Sequence, residues 1–309
     1  MRRLIGLVSV AVLLTGCGAA ARPKAATVGP ASSGAMSSAS SASSVSRPAP
    51  AASSASSVSR ASRPAATSRA SKPTPSSSAP PSQPAAASRP LTGTVIVLNP
   101  GHNGGNAANP AAINRQVPAG FGQYKACDTT GTETNAGYQE HAFNWDVSLR
   151  VRAILQAHGV RVIMTRDSDT GVGPCVDERA RIGNQAGVAA VVSIHADGAP
   201  SSGHGFHVCE DSRQPAGPVV AAASHRLTVA MHDALLGGSG LTTSSYLGSN
   251  GYFPRDDLAG LNLAEVPATF LEIGNMRNSG DAAVQTSSAG RQRIADAVAA
   301  GVLAWLGHR

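Results

Sequence analysis

Four ionisable residues stand where side chains from separate segments could meet and do chemistry: His102, Glu140, His195 and Glu272. His102 follows the apolar run Val95 to Leu98 and the triplet Asn99-Pro100-Gly101. Four apolar residues in succession read as a buried strand, and Asn-Pro-Gly forces a turn after it. His195 closes a second apolar run, AAVVSI over 189–194, and Glu272 interrupts a third, ATFLEI over 268–273. In α/β sheets, groups at the carboxyl ends of strands are the ones that meet ligands. Each residue also has a bland account. A histidine beside a glycine turn can simply close a strand, and Glu140 at a helix start is favoured by the helix dipole. His141, its neighbour, competes with it for any ligand role. Glu272 resists such an account, because a carboxylate within an apolar strand is costly to bury unless it is paired or bound. Taken together, two histidines and a glutamate are a catalytic zinc ligand set with a fourth position left for water. The remaining carboxylate, Glu272, suits a general base that later acts as acid to the leaving group.

Elements able to hold this set are legible around it. The residues Phe143, Val147, Val151, Ile154 and Leu155 recur at helical spacing up to about His158, and Gly159 ends that helix. Further strands are expected over 160–165 and 205–208, and helices over 177–185, 218–236 and 289–306. Strands alternating with helices indicate an α/β fold: a single domain with a twisted, mostly parallel sheet covered by helices on both faces. The long connections 103–139 and 237–257 carry little periodicity and read as functional loops.

The rest of the chain frames this domain. The opening MRRLIGLVSVAVLLTGC has a basic start and an apolar run too short to span a membrane, the pattern of a secretory signal. Its end, Leu14 to Cys17, resembles a bacterial lipobox, so Cys17 is the expected lipidation site and membrane anchor. Residues 18–90 are rich in Ser, Ala and Pro, with SASSVSR occurring at both 41–47 and 54–60. Such composition cannot offset the entropy of folding, which predicts a disordered tether spanning about 45–50 Å as a flexible coil. The division is thus a lipoprotein-type signal peptide over 1–17, a linker over 18–90 and a catalytic domain over 91–309. Ten of the 25 Lys and Arg lie in residues 1–90, which contain no Asp or Glu. The remainder holds 15 basic and 18 acidic groups, a net of −3, so the basic pI offers no support for a nucleic-acid partner. In an exported protein, Cys127 and Cys175, both in loop sequence, are the expected disulfide, which leaves Cys209 as a thiol.

The sequence resembles the zinc-dependent N-acetylmuramoyl-L-alanine amidases (Amidase_3 family) over essentially all of 93–309. The resemblance rests on NPGHNG at His102, Glu140 opening a helix, ERARIGNQA with Arg179 and Asn184, SIHAD at His195 and VPATFLEIGNMRN at Glu272. VPAGFGQYKAC is similar to a loop of the mycobacterial-type members. The resemblance implies one Zn2+ held by His102, Glu140 and His195, with Glu272 catalytic. It also implies cleavage of the bond between N-acetylmuramic acid and L-alanine in peptidoglycan or muropeptides, by a monomer in the cell envelope or periplasm, or secreted. It supports the Cys127–Cys175 bridge. Asn99 stands where the family's usual residue is aspartate, and is expected to lie behind the histidine ligand. Arg179 is expected either to contact substrate or ligand, or to form a structural ion pair. Two rivals share the inventory: a zinc peptidase or carboxypeptidase acting within the stem peptide, and a wall-binding module without catalysis. Nothing matches a Gly-x-Ser-x-Gly serine hydrolase.

Overall fold

Alternating burial along the strands sets the architecture. Ile96 and Leu98 point into one apolar layer, while Val95 and Val97 point into another. The computed structural model describes residues 91–308; the expected signal, Cys17 and the linker lie outside them. In chain order the elements are β1 (Val95–Pro100), α1 (Pro110–Ile113), β2 (Gln116–Pro118), β3 (Tyr124–Ala126) and α2 (Glu140–Ala157). β4 (Arg161–Met164), α3 (Val176–Gly183), β5 (Val188–Asp197), β6 (His207–Cys209) and α4 (Gly217–Gly238) follow. The chain then forms α5 (Ala259–Asn262), β7 (Ala268–Asn275), α6 (Ser279–Thr286) and α7 (Ser288–Gly307).

Five strands form one sheet in the order β4-β1-β5-β7-β6. All its pairings are parallel except β6 against β7. One face carries the larger core, where Phe143, Val147 and Val151 of α2 meet Leu227 and Met231 of α4 and Val298 of α7. The other face is thinner and is covered by α3, α5 and the segment between them and β7, through Ile182, Leu258, Leu261 and Ala264. Burial on both faces explains why the strands read as unbroken apolar runs. Among the described residues, no helix is long and apolar enough to cross a membrane.

The differences from expectation have local causes. β1 continues through Pro100, and β5 continues past His195 to Asp197, because pairing with neighbouring strands persists beyond the apolar runs. The 103–139 connection contains α1 and the β2–β3 hairpin, too short and too exposed to show a period. α6 has no signature in the sequence pattern, because its buried residues, Asp281 and Gln285, are polar. Its start is marked instead by Asn278, whose side chain accepts from the backbone N–H groups of Gly280 and Asp281.

Cys127 and Cys175 are bridged, joining the residue after β3 to the residue before α3. Cys209 is a buried free thiol, and burial raises its pKa. The bridge closes a loop with a sequence separation of 48. Replacing both cysteines by serine should therefore cost about 4 kcal/mol by the chain-entropy argument, read as a lower urea midpoint. An unchanged midpoint would contradict a stabilising role.

Candidate metal centre and active site

His102 reaches the site through a turn that constrains its neighbours. A Cβ on Gly101 would sit 2.0 Å from Cε1 of His195, so only glycine lets the two imidazoles approach. His102 itself has φ of 58°, the left-handed region that non-glycine residues seldom occupy. Two arginines, each 4% exposed, grip this backbone. Arg166 Nε donates to the Pro100 carbonyl at 3.0 Å. Arg179 donates to the same carbonyl at 2.7 Å and to that of His102 at 3.1 Å.

Glu140, the first residue of α2, is placed by backbone donors. Its Oε2 accepts from Thr132 N–H at 2.9 Å, and Oε1 accepts from Ala196 N–H at 3.2 Å. The same Oε1 lies 3.1 Å from Nδ1 of His195 and 3.3 Å from Nε2 of His102. The His195 ring is stacked on Phe270 at 4.2 Å between centroids. His102 Nδ1 faces the Thr129 carbonyl and Asp128 Oδ1, both at 3.1 Å. A carbonyl can only accept, so Nδ1 carries the hydrogen, and Nε2 faces Glu140. His102, Glu140 and His195 thus each offer one donor atom, all within 4.8 Å of one another.

The electrostatics fit a cation between them. Burial opposes ionisation of Glu140, but His102 and His195 outweigh it and hold the carboxyl well below its usual range. Burial likewise opposes a charge on His102, yet Glu140 and Asp128 lift its pKa to about 10. A buried carboxylate facing two imidazole nitrogens is a donor group that can hold a metal ion, and the residues present fit one.

Glu272 adjoins this set. It lies directly opposite His195 in the β5–β7 ladder and is the one position of β7 that is half-buried rather than buried. Its neighbours are Phe270 and a cavity of about 220 Å³ lined also by His102, Lys125, Asp128, His195 and Leu258. Burial, followed by the nearby charges of Glu140 and Asp197, raises its pKa well above the usual carboxylate value. Its Oε2 has no hydrogen-bond partner.

The remaining expected residues take other places. His141 pairs with Asp169 at 2.8 Å and stands outside the donor group. Asn99 does not lie behind a histidine. Its Nδ2 donates to Ser193 Oγ at 3.0 Å, and its Oδ1 accepts from Thr165 Oγ1 at 2.8 Å and Arg179 at 3.1 Å. An amide serves both directions there, which a carboxylate cannot. Arg179 is buried against Asp128 at 3.3 Å and the turn carbonyls, the structural alternative among those expected. The carboxylate that orients His102 is Asp128, which the sequence reading missed. Its signal is its position immediately after the bridged Cys127.

The model of the N-acetylmuramoyl-L-alanine amidase family (Amidase_3) matches residues 96–304. The chain belongs to that family. N-acetylmuramoyl-L-alanine amidase Rv3717 of Mycobacterium tuberculosis is 47% identical over 216 residues, covering 70% of this chain and 88% of the relative. Among solved structures, the N-acetylmuramyl-L-alanine amidase Ami1 of Mycobacterium smegmatis matches with a TM-score of 0.68 and 47% identity, over 72% of this chain and 100% of the other. N-acetylmuramoyl-L-alanine amidase AmiC2 of Nostoc punctiforme, 22% identical, shares the fold with a TM-score of 0.53 over 70% of this chain and 98% of its own. Asp128 orients a residue of the donor group that could hold a metal ion, so replacing it by alanine should weaken binding of added zinc by about 10- to 100-fold, measured by competition with a chromogenic chelator. Wild-type affinity in that variant would remove Asp128 from the account.

Proposed function

We propose that this chain hydrolyses the amide between N-acetylmuramic acid and the L-alanine of the peptidoglycan stem peptide as a zinc enzyme. His102, Glu140 and His195 hold the ion, and Glu272 carries the proton. The observation that carries this reading is the convergence of three donor atoms beside Glu272, in a chain of the amidase family. Two histidines and one glutamate are a catalytic zinc set. Bound there, zinc supplies Lewis acidity, lowering the pKa of water to about 7 and polarising the scissile carbonyl.

The chain's own groups do the remainder. Glu272 accepts the proton that the attacking water releases and returns it to the L-alanine nitrogen as the C–N bond breaks, so the amine leaves neutral. Its raised pKa, from burial and the neighbouring acids, suits a group that must both take and give a proton. Asp128 and the Thr129 carbonyl hold His102 in one tautomer. Lys125 and Thr129 on one side of the cavity and Leu258 to Gly260 on the other flank the path of the substrate.

The substrate lies outside the membrane, which accords with export by residues 1–17, lipid attachment at Cys17 and a reach supplied by 18–90. The domain over 91–309 then acts as a monomer on polymer or released fragments. The test is mass analysis of digested muropeptides, with and without chelator. The expected products are free stem peptides with an L-alanine amino terminus, lost on chelation. Glu272→Gln should retain zinc and lose about a hundredfold or more in turnover. Shortened stems, or near wild-type turnover in that variant, would sink the assignment.

A further inference from the structure

β6 is a three-residue edge strand whose first residue, His207, pairs in register with Glu272. Glu272 pairs in turn with His195 on β5. Directly opposed residues on adjacent strands share a face, with Cβ atoms about 4.5–5.5 Å apart. His195, Glu272 and His207 therefore form one row across three strands. The first two have roles in the proposed reaction, and His207 has none.

His207 is nevertheless an expensive residue to keep there. It is fully buried at 0% exposure, and neither ring nitrogen has a hydrogen-bond partner. Phe253 and Tyr246 pack edge-on against it, with centroids 5.6 and 6.1 Å away. The neighbouring positions of β6 are Val208 and Cys209, so an apolar side chain would fill this corner without an unpaired donor. Burial lowers its pKa to about 4, leaving a neutral ring with one N–H and one lone pair. The charged groups acting on it, Asp197 and Arg255, also act on Glu272. Beside this unused donor stands an unused acceptor, Oε2 of Glu272.

We infer that His207 is a positioning residue for Glu272: its ring N–H donates to Oε2 and sets the direction in which the other carboxylate oxygen meets water. The ladder already opposes the two residues, so the contact calls for no change in strand pairing. The inference rests on Glu272 being the proton carrier.

The test uses the zinc-loaded full chain and muropeptide substrate. His207→Phe keeps an aromatic ring and removes the donor, and His207→Gln restores an N–H. The Phe variant should lose about 10- to 100-fold in kcat with KM, zinc content and Tm unchanged, and the Gln variant should recover much of that loss. A folded, zinc-loaded Phe variant with wild-type kcat overturns the inference, as does a Gln variant no better than Phe. Should the Phe variant fail to fold, 15N spectra of the His207 ring decide, comparing wild type with Glu272→Gln. A ring-nitrogen shift between them supports the contact, and identical spectra overturn it. Wild-type turnover in Glu272→Gln would instead remove the reading of Glu272 itself, and the inference with it.

Discussion

Two buried guanidinium groups closing on one turn are the constraint from which the site follows. Arg166 and Arg179 both donate to the Pro100 carbonyl, and Arg179 reaches on to that of His102. A buried cation is costly unless paired and hydrogen-bonded. Here Asp169 answers Arg166 and Asp128 answers Arg179, while backbone carbonyls and the side-chain oxygens of Asn99, Asn103 and Thr165 accept from the remaining donors. Arg166 also lies 4.8 Å over the Trp145 ring. Burial lowers its pKa to about 10, so it stays charged at neutral pH. The left-handed backbone at His102 persists because these contacts over-determine it.

The same network ties the disulfide to the candidate metal centre. The bridge fixes Cys127, and the next residue, Asp128, accepts from both His102 and Arg179. Arg179 lies in α3, which begins just after Cys175. The two ends of the bridge therefore lead directly to the two groups that hold His102: one through its ring nitrogen, the other through its carbonyl. On the opposite side, Glu140 is held by the N–H groups of Thr132 and Ala196 and by its place at a helix start. Gly131 permits this approach, since a Cβ there would come within 2.6 Å of Glu140 Oε2.

The three candidate ligands stand on rigid elements: a turn after a central strand, a helix start and a strand interior. The walls of the adjoining cavity come from the hairpin side and from the 258–260 segment. Lys125 of β3 links these two sides by donating to the Asp257 carbonyl at 3.0 Å. A fixed reaction centre with walls of separate origin allows substrate contacts to vary without disturbing the donor set.

The amino-acid sequence by itself determined the apolar runs, hence the strands, and the helical stripes of α2, α4 and α7. It also placed the ionisable residues at the ends or interruptions of those runs, because buried strands tolerate a charge only where something answers it. His102, His195 and Glu272 were legible for that reason, and Glu140 by its place at the start of a helical stripe. The contacts behind them were not. Asp128 sits in a loop with no period, and its partnership with His102 crosses 26 positions of chain. Asn99 looked like a neighbour of the histidine in sequence, but strand alternation turns its side chain towards Thr165 and Ser193 instead. His207 stood in an unremarkable strand, and only register against β7 set it beside Glu272. Local patterns report what is buried. Which buried groups meet is decided by pairing between distant segments, and that is a property of the tertiary structure alone.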